Sequence, residues 1–519
     1  MGAPLVMALD EGSTSARTVI VDVGGAVVAE ARAEVTWTRR RPGWAELDPV
    51  ALWQTQLATV NAALAQVDPA DIATIAVTSH RETVLVWDRE TGRPVHDALV
   101  WISTQTDDIV RRWSERGLDD EFVRRTGLPN NSFFSAAKLS WLLDEVPGVR
   151  EGALAGRYVC GTIDSWLLWN LTDGRSHLTD HSCASRTALF DLHTLAWSEE
   201  LCDALDIPIR MLPRAVASDS DFGLVTSDVV PGLRPGGVPV RGVIADQQAS
   251  MVGQACFAPG SVKQTFGTAG VLCVNTGAQP AVTPGLTSSV GWTVQGRTRF
   301  ELEAVAFHSG QTLHWLRDNF GLIDPGDSID DLVRVVPDTG GVYLVPAMAG
   351  LCAPYWERAA RASIVGMSME STRAHVVRAA VESMAYQAVD ALVALAADGR
   401  PVSSIKVDGG AARNDVLCQF FADVSGILVQ RPVGLERTAI GAAQVAGIGH
   451  GLWSGLDEAG ASWSLDRCFE PAISATRREE LYSGWRHAVE STLTFAARQA
   501  SPAGAAVSTP SPTQKGPQA

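Results

Sequence analysis

The sequence predicts an α/β protein built from two similar halves in tandem, and three observations carry that reading. Near the start, an apolar strand (Leu5–Leu9), a polar Gly-containing turn (Asp10–Ser15) and a β-branched strand (Thr18–Val21) follow one another. In the middle, Val262–Phe266, Gly267–Gly270 and Val271–Val274 repeat that order, with Gly12 and Gly267 lying 255 positions apart in a chain of 519. Such an echo comes from a duplicated domain or from two unrelated hairpins; a spacing of half the chain points to the first. Beyond it, Ser371–Val429 reads as helix, strand, Gly-rich turn, helix and strand, which implies a parallel sheet with a right-handed crossover.

The elements follow in order. Gly24-Gly25 turns the first hairpin into a third strand, Ala26–Val28. Ile72–Val77 reads as a buried strand, and Val84–Trp87 as another, closed by the Gly92 turn. Val243–Ala245 is an apolar strand ending in Asp246-Gln247-Gln248. A helix over Ser371–Ala397 sets Val377, Ala380, Val381, Met384, Ala388 and Leu392 at helical spacing. Ile405–Val407, the turn Asp408-Gly409-Gly410, a helix from Asn414 to Val424 and Leu428-Val429 complete the unit. The expected division is 1–252, 253–500 and a disordered, Pro-containing tail over 501–519.

Composition narrows the function. With 42 basic and 58 acidic residues, the formal net charge is −16, which argues against a nucleic-acid partner and against docking on anionic lipid. A 46% hydrophobic content suits a large globular core. No uninterrupted apolar run nears 18 residues, and the first residues lack a basic region before Asp10, so neither a membrane span nor a signal peptide is expected. The eight cysteines are scattered singly, without C-x-x-C spacing; reduced thiols in a cytoplasmic protein are the reading. No G-x-x-x-x-G-K-[ST] segment occurs.

The polar turns carry the chemistry. Asp10 ends a buried strand and precedes Gly12-Ser13-Thr14-Ser15 and Arg17. Small residues let a ligand approach the backbone, amides and hydroxyls donate to phosphate, and a carboxylate holds hydrated Mg²⁺; an ordinary hairpin turn would look alike. Gly267-Thr268 and Asp408-Gly409-Gly410 supply two more such turns, so a nucleotide in a cleft between the halves is favoured. Asp246 reads either as a helix N-cap or as a general base at a strand end. Arg81-Glu82 reads as a donor–acceptor pair for hydroxyls or as a solvated charge pair.

In order, Ala8–Arg17, Pro42–Pro49, Arg81-Glu82-Thr83, Phe133–Leu142, Asp246-Gln247-Gln248, Phe266-Gly267-Thr268, Ala353–Trp356, Ala362–Glu382 and Asp408–Ala411 resemble the motifs of the FGGY family of carbohydrate kinases, from about Val6 to Arg498. The resemblance implies two duplicated ribonuclease-H-like (actin-like ATPase) domains around a cleft, with ATP and Mg²⁺. It implies phosphorylation of glycerol to sn-glycerol 3-phosphate, with Asp246 as base and Asp10 and Asp246 at the metal. Ser13, Thr14, Ser15, Arg17, Thr268, Gly310, His314, Gly410 and Asn414 fall on nucleotide positions, and Arg81, Glu82, Trp101, Phe133, Asp246 and Gln247 on polyol positions. A homodimer or homotetramer is the family expectation.

The departures concern the substrate. Phe133 stands where the family has a polyol-contacting tyrosine, and Val271 where it has a phenylalanine wall. Ile102–Gln105, Ser79-His80, Glu11 and His314 also differ, and Pro235-Gly236-Gly237 lacks the arginine tied to fructose-bisphosphate feedback. A kinase for a longer polyol or sugar (erythritol, ribitol, xylulose) is the alternative, and a non-catalytic ATP-binding actin-like protein a further one.

Overall fold

A computed structural model describes residues 2–500; the expected tail over 501–519 lies outside them. The first half is organised on a six-stranded sheet of β1 (Leu5–Glu11), β2 (Ser15–Asp22), β3 (Val27–Glu34), β4 (Ile72–Ser79), β5 (Gly223–Val225) and β6 (Val238–Ala245). Its order is β5-β6-β4-β1-β2-β3, with β6, β4 and β1 parallel and the other pairs antiparallel. β1 and β4 are buried almost throughout, which is why they read as continuous apolar runs. β3 lies at the sheet edge and exposes alternate residues.

The second sheet comprises β7 (Val262–Phe266), β8 (Gly270–Gly277), β9 (Thr287–Val294), β10 (Arg297–Ala306), β11 (Ser404–Asp408), β12 (Leu428–Pro432) and β13 (Leu465–Phe469). The order is β9-β10-β8-β7-β11-β12-β13, with β7, β11 and β12 parallel. Its central run β10-β8-β7-β11-β12 repeats β3-β2-β1-β4-β6 of the first sheet, antiparallel hairpin first and parallel strands after. The expected duplication is therefore present in the sheets. Val84–Asp88 is a strand, as expected, but in a separate four-stranded sheet with Glu46–Leu47, Ala98–Leu99 and Tyr158–Thr162.

The helices used below are α1 (Pro49–Leu64), α2 (Asp246–Gly253), α3 (Gly310–Phe320), α4 (Arg373–Ala397), α5 (Asp415–Ser425) and α6 (Arg437–His450). α4 starts two residues later than its periodicity indicates, because Thr372 is still extended. By length and composition α4 could cross a membrane, but 78% of its apolar window is buried, and it packs in the second core. α6 lies between β12 and β13 of the second sheet in the chain yet packs on α2, β6 and β4 of the first half. Two glycines permit this: a Cβ on Gly441 would lie 1.8 Å from the Ala249 carbonyl, and one on Gly242 2.5 Å from the Ala446 amide.

Candidate active site

The parallel strands of both sheets point their carboxyl ends at one cleft, the usual ligand position in such sheets. On the first sheet, Asp10 pairs with Thr78 and Ala245 with Ser79, so Asp10, the Ser79–Glu82 turn and Asp246 emerge together. On the second, Thr265 pairs with Asp408, which brings Gly267 and Gly409 side by side. Gly409 crosses over β7 at φ 85°, and a Cβ there would lie 2.6 Å from the Phe266 carbonyl, so glycine is required. Gly310, the first residue of α3, donates to the Gly267 carbonyl at 2.9 Å and has no room for a Cβ, which would sit 2.8 Å from that oxygen.

Two joined cavities result. The larger, about 540 Å³, is lined by Asp10, Arg17, Gly310, His314, Gly410 and Glu436, among others. The smaller, about 250 Å³, is lined by Ser13, Arg81, Glu82, Trp101, Phe133, Asp246, Gln247 and Val271. They share Gly12, Thr14, Ser15, Arg32, Thr265, Gly267 and Thr268, so both Gly/Ser/Thr turns, with Arg32 beside them, form the common wall. The Ser13, Thr14 and Thr268 amides donate to no other described residue, leaving donors at the point where the cavities meet.

Most expected site residues line one of these two cavities; Ser13 lines the smaller one, and Asn414 lies just beyond the larger. Asn414 follows a 3₁₀ turn (Gly410–Arg413), and its side chain caps α5, accepting from the Leu417 amide at 2.8 Å while its amide group donates to Asp330. Ser13 lines the smaller cavity and not the larger one, with its hydroxyl accepting from Trp101 Nε1 at 2.8 Å. Asp246 is the first residue of α2; Ala245 occupies the N-cap position without a side-chain cap. Arg17, on the wall of the larger cavity, pairs with Glu436 of the second half at 2.6 Å.

The electrostatics favour a cation between the acids. Burial pushes the Asp10 carboxyl up to about 7; Asp246 and Glu436 add to this, and Arg17 opposes it. Burial also raises Glu11, helped by Asp10, and lowers His80, whose Nδ1 lies 3.1 Å from the Glu11 carbonyl.

Beneath the smaller cavity, Arg186, Glu303 and Lys263, none of which the sequence singles out, join the expected residues. Arg186 pairs with Glu82 at 2.8 Å and with Glu303 at 2.6 Å, Arg81 pairs with Glu303, and Arg81 Nε lies 3.3 Å from Asp246. Lys263 contacts Gln247 and donates to Thr265 at 2.9 Å. The available signal was charge inside buried strands: Glu301 and Glu303 alternate with apolar residues in β10, and Lys263 is one of four lysines in the chain.

The fold and these paired cavities define an ATP-dependent phosphotransferase of the actin-like type. The chain belongs to the FGGY family of carbohydrate kinases, whose N-terminal domain profile matches residues 5–253 and whose C-terminal domain profile matches 262–450. It is 43% identical to the glycerol kinase of Halorhodospira halophila over 94% of this chain and 96% of that one. It is 44% identical to the glycerol kinase of Symbiobacterium thermophilum, over 96% of this chain and all of the other. Among solved structures, Plasmodium falciparum glycerol kinase with ADP superposes with a TM-score of 0.85 at 32% identity, over 95% of this chain and 98% of that one. The enzyme is thus a kinase that uses ATP, with a small-molecule polyol as the other substrate.

Proposed function

We propose that this enzyme phosphorylates a primary hydroxyl of glycerol, yielding sn-glycerol 3-phosphate. The observation that carries the reading is the wall common to both cavities. A phosphate cradled by Gly12–Ser15 and Gly267-Thr268 from the larger side faces a hydroxyl held beside Asp246 on the smaller side. Asp246 accepts the proton of the attacking hydroxyl, Arg81 donates to polyol oxygens, and Glu82 and Gln247 complete the polyol contacts. Trp101 and Phe133 pack against the carbon chain. Ser13, Thr14, Ser15, Arg17, Thr268, Gly310, His314, Gly410 and Asn414 bind the nucleotide.

Mg²⁺ fits the acids present. Asp10 is a hard oxygen donor whose carboxyl is held up to about 7 by burial and a second carboxylate, a strain that a divalent cation relieves. Asp10 and Asp246 would hold it, and bound there it neutralises phosphate charge. The reading also takes residues 1–252 as the polyol-binding domain and 253–500 as the nucleotide-binding one. It further takes the enzyme as a cytoplasmic homodimer or homotetramer; free cysteines throughout the described residues support the compartment.

The apolar Phe133 and Val271 walls of a 250 Å³ cavity favour a second reading, a longer polyol or sugar. Measuring kcat/KM with ATP over glycerol, erythritol, ribitol and xylulose decides between them. Glycerol ranks first on our reading; a clear preference for a four- or five-carbon substrate overturns it.

A further inference from the structure

We propose that Glu303, on β10 of the second half, is a positioning residue for the polyol site, acting through Arg81 directly and through Arg186 on Glu82. The proposal rests on the reading of Arg81 and Glu82 as polyol contacts. Glu303 is the one member of the ring Arg81–Glu303–Arg186–Glu82 that comes from the second sheet, and all four side chains are at least nine-tenths buried.

The ring decides which atoms remain for a ligand. Glu303 engages Arg81 Nη1 with one carboxylate oxygen and Arg186 Nη2 with the other. Arg186 Nε engages Glu82 Oε1, Thr287 receives its Nη1 at 3.2 Å, and the guanidinium lies over the Phe134 ring. Arg81 Nη2 and Glu82 Oε2 have no hydrogen-bond partner among the described residues, and both residues line the smaller cavity. A donor and an acceptor are thus presented side by side, as neighbouring hydroxyls require. Glu82 holds its place at φ 62°, a conformation that a non-glycine residue keeps only when its surroundings enforce it. Two positive and two negative charges balance in the ring. Removing the charge of Glu303 leaves Arg186 with Glu82 as its carboxylate partner and Arg81 with Glu82 and Asp246, which shifts both polyol-contacting side chains.

The nearby Cys273, Glu301 and Glu303 could be taken for a metal site. Glu303 already carries two guanidinium groups, and Gln248 and Ser289 both donate to one oxygen of Glu301, so the cluster is organised around the arginines.

The test is steady-state kinetics of the full chain, wild type against Glu303→Gln, with glycerol and ATP varied separately. Loss of a charged hydrogen-bond partner raises the glycerol KM by about tenfold to a hundredfold, while the ATP KM stays within about twofold and the variant unfolds cooperatively. An unchanged glycerol KM, or a parallel rise in both KM values, overturns the proposal. Arg186→Lys keeps the charge but cannot bridge Glu82 and Glu303 in a planar fork; it should raise the glycerol KM selectively too, and it decides by the same criterion if Glu303→Gln does not fold. Wild-type enzyme without polyol-dependent ADP release would sink the kinase reading itself, a result separable from these.

Discussion

At the scale of single residues, the chemistry divides into groups that strand ends display and groups that only partners explain. Asp10, Arg81, Glu82 and Asp246 each follow an apolar run, and a polar residue at that point is legible as a candidate. Arg186, Lys263 and Glu303 were not legible. Each is a lone charge whose meaning depends on a distant partner, as with Arg81 and Glu303, 222 positions apart. Asn414 carries a second, structural part that motif order does not show: its side-chain oxygen caps α5. Asp246→Asn keeps the shape and removes the proton acceptor. We expect kcat to fall by about 10²–10⁴-fold, with the glycerol KM changed by only a few-fold. ADP release at saturating glycerol measures this, and unchanged kcat would remove Asp246 from its role.

At the scale of elements, the strands that carry apolar runs were legible in place, most of them short at their ends, whereas β5, β9, β10 and β13 were not legible. β1, β2 and β8 run past their apolar stretches because pairing with neighbours, not side-chain composition, carries them on. The Val84–Asp88 strand was legible, but its sheet was not, since alternation says nothing about which strand will pair. The glycines of α6, too loosely spaced for a dinucleotide motif, instead allow helix-to-sheet approach; a Cβ on Gly449 would lie 2.3 Å from the Arg241 carbonyl. Inside α4, burial pushes Asp390 up to about 6, although Trp485 Nε1 (3.0 Å) and the Tyr482 hydroxyl (2.8 Å) donate to it. A carboxyl raised in the folded state binds more protons than in the unfolded chain between about 3.8 and 6. Its contribution is present below that window and lost as pH rises through it, by about 3 kcal/mol at most. Asp390→Asn lacks this loss, so wild-type stability measured against the variant should fall by up to about 3 kcal/mol as pH rises from 4 to 7 in urea unfolding. Parallel curves would remove Asp390 as the source.

At the scale of the molecule, a net charge of −16 surrounds a site for a polyanion. Long-range repulsion opposes nucleotide entry, and local groups such as Arg17 and the free turn amides must overcome it. Added salt screens the far charges more than the near ones. The ATP KM should therefore fall modestly, by less than about threefold, between about 10 and 150 mM monovalent salt, the opposite of a basic nucleotide-binding protein. A KM that rises over that range in steady-state assays would show that the local attraction dominates.

The sequence by itself determined the two strand–turn–strand units, the three Gly-rich turns and the acids at strand ends, because those depend on neighbours within a few positions. Tertiary structure alone decided which strands pair, that α6 crosses to the first sheet, and that Glu303 joins Arg81 and Arg186 beneath the polyol pocket. Those depend on close approach between segments far apart in the chain, where backbone clearance and the cost of burying an unpaired charge select the partners.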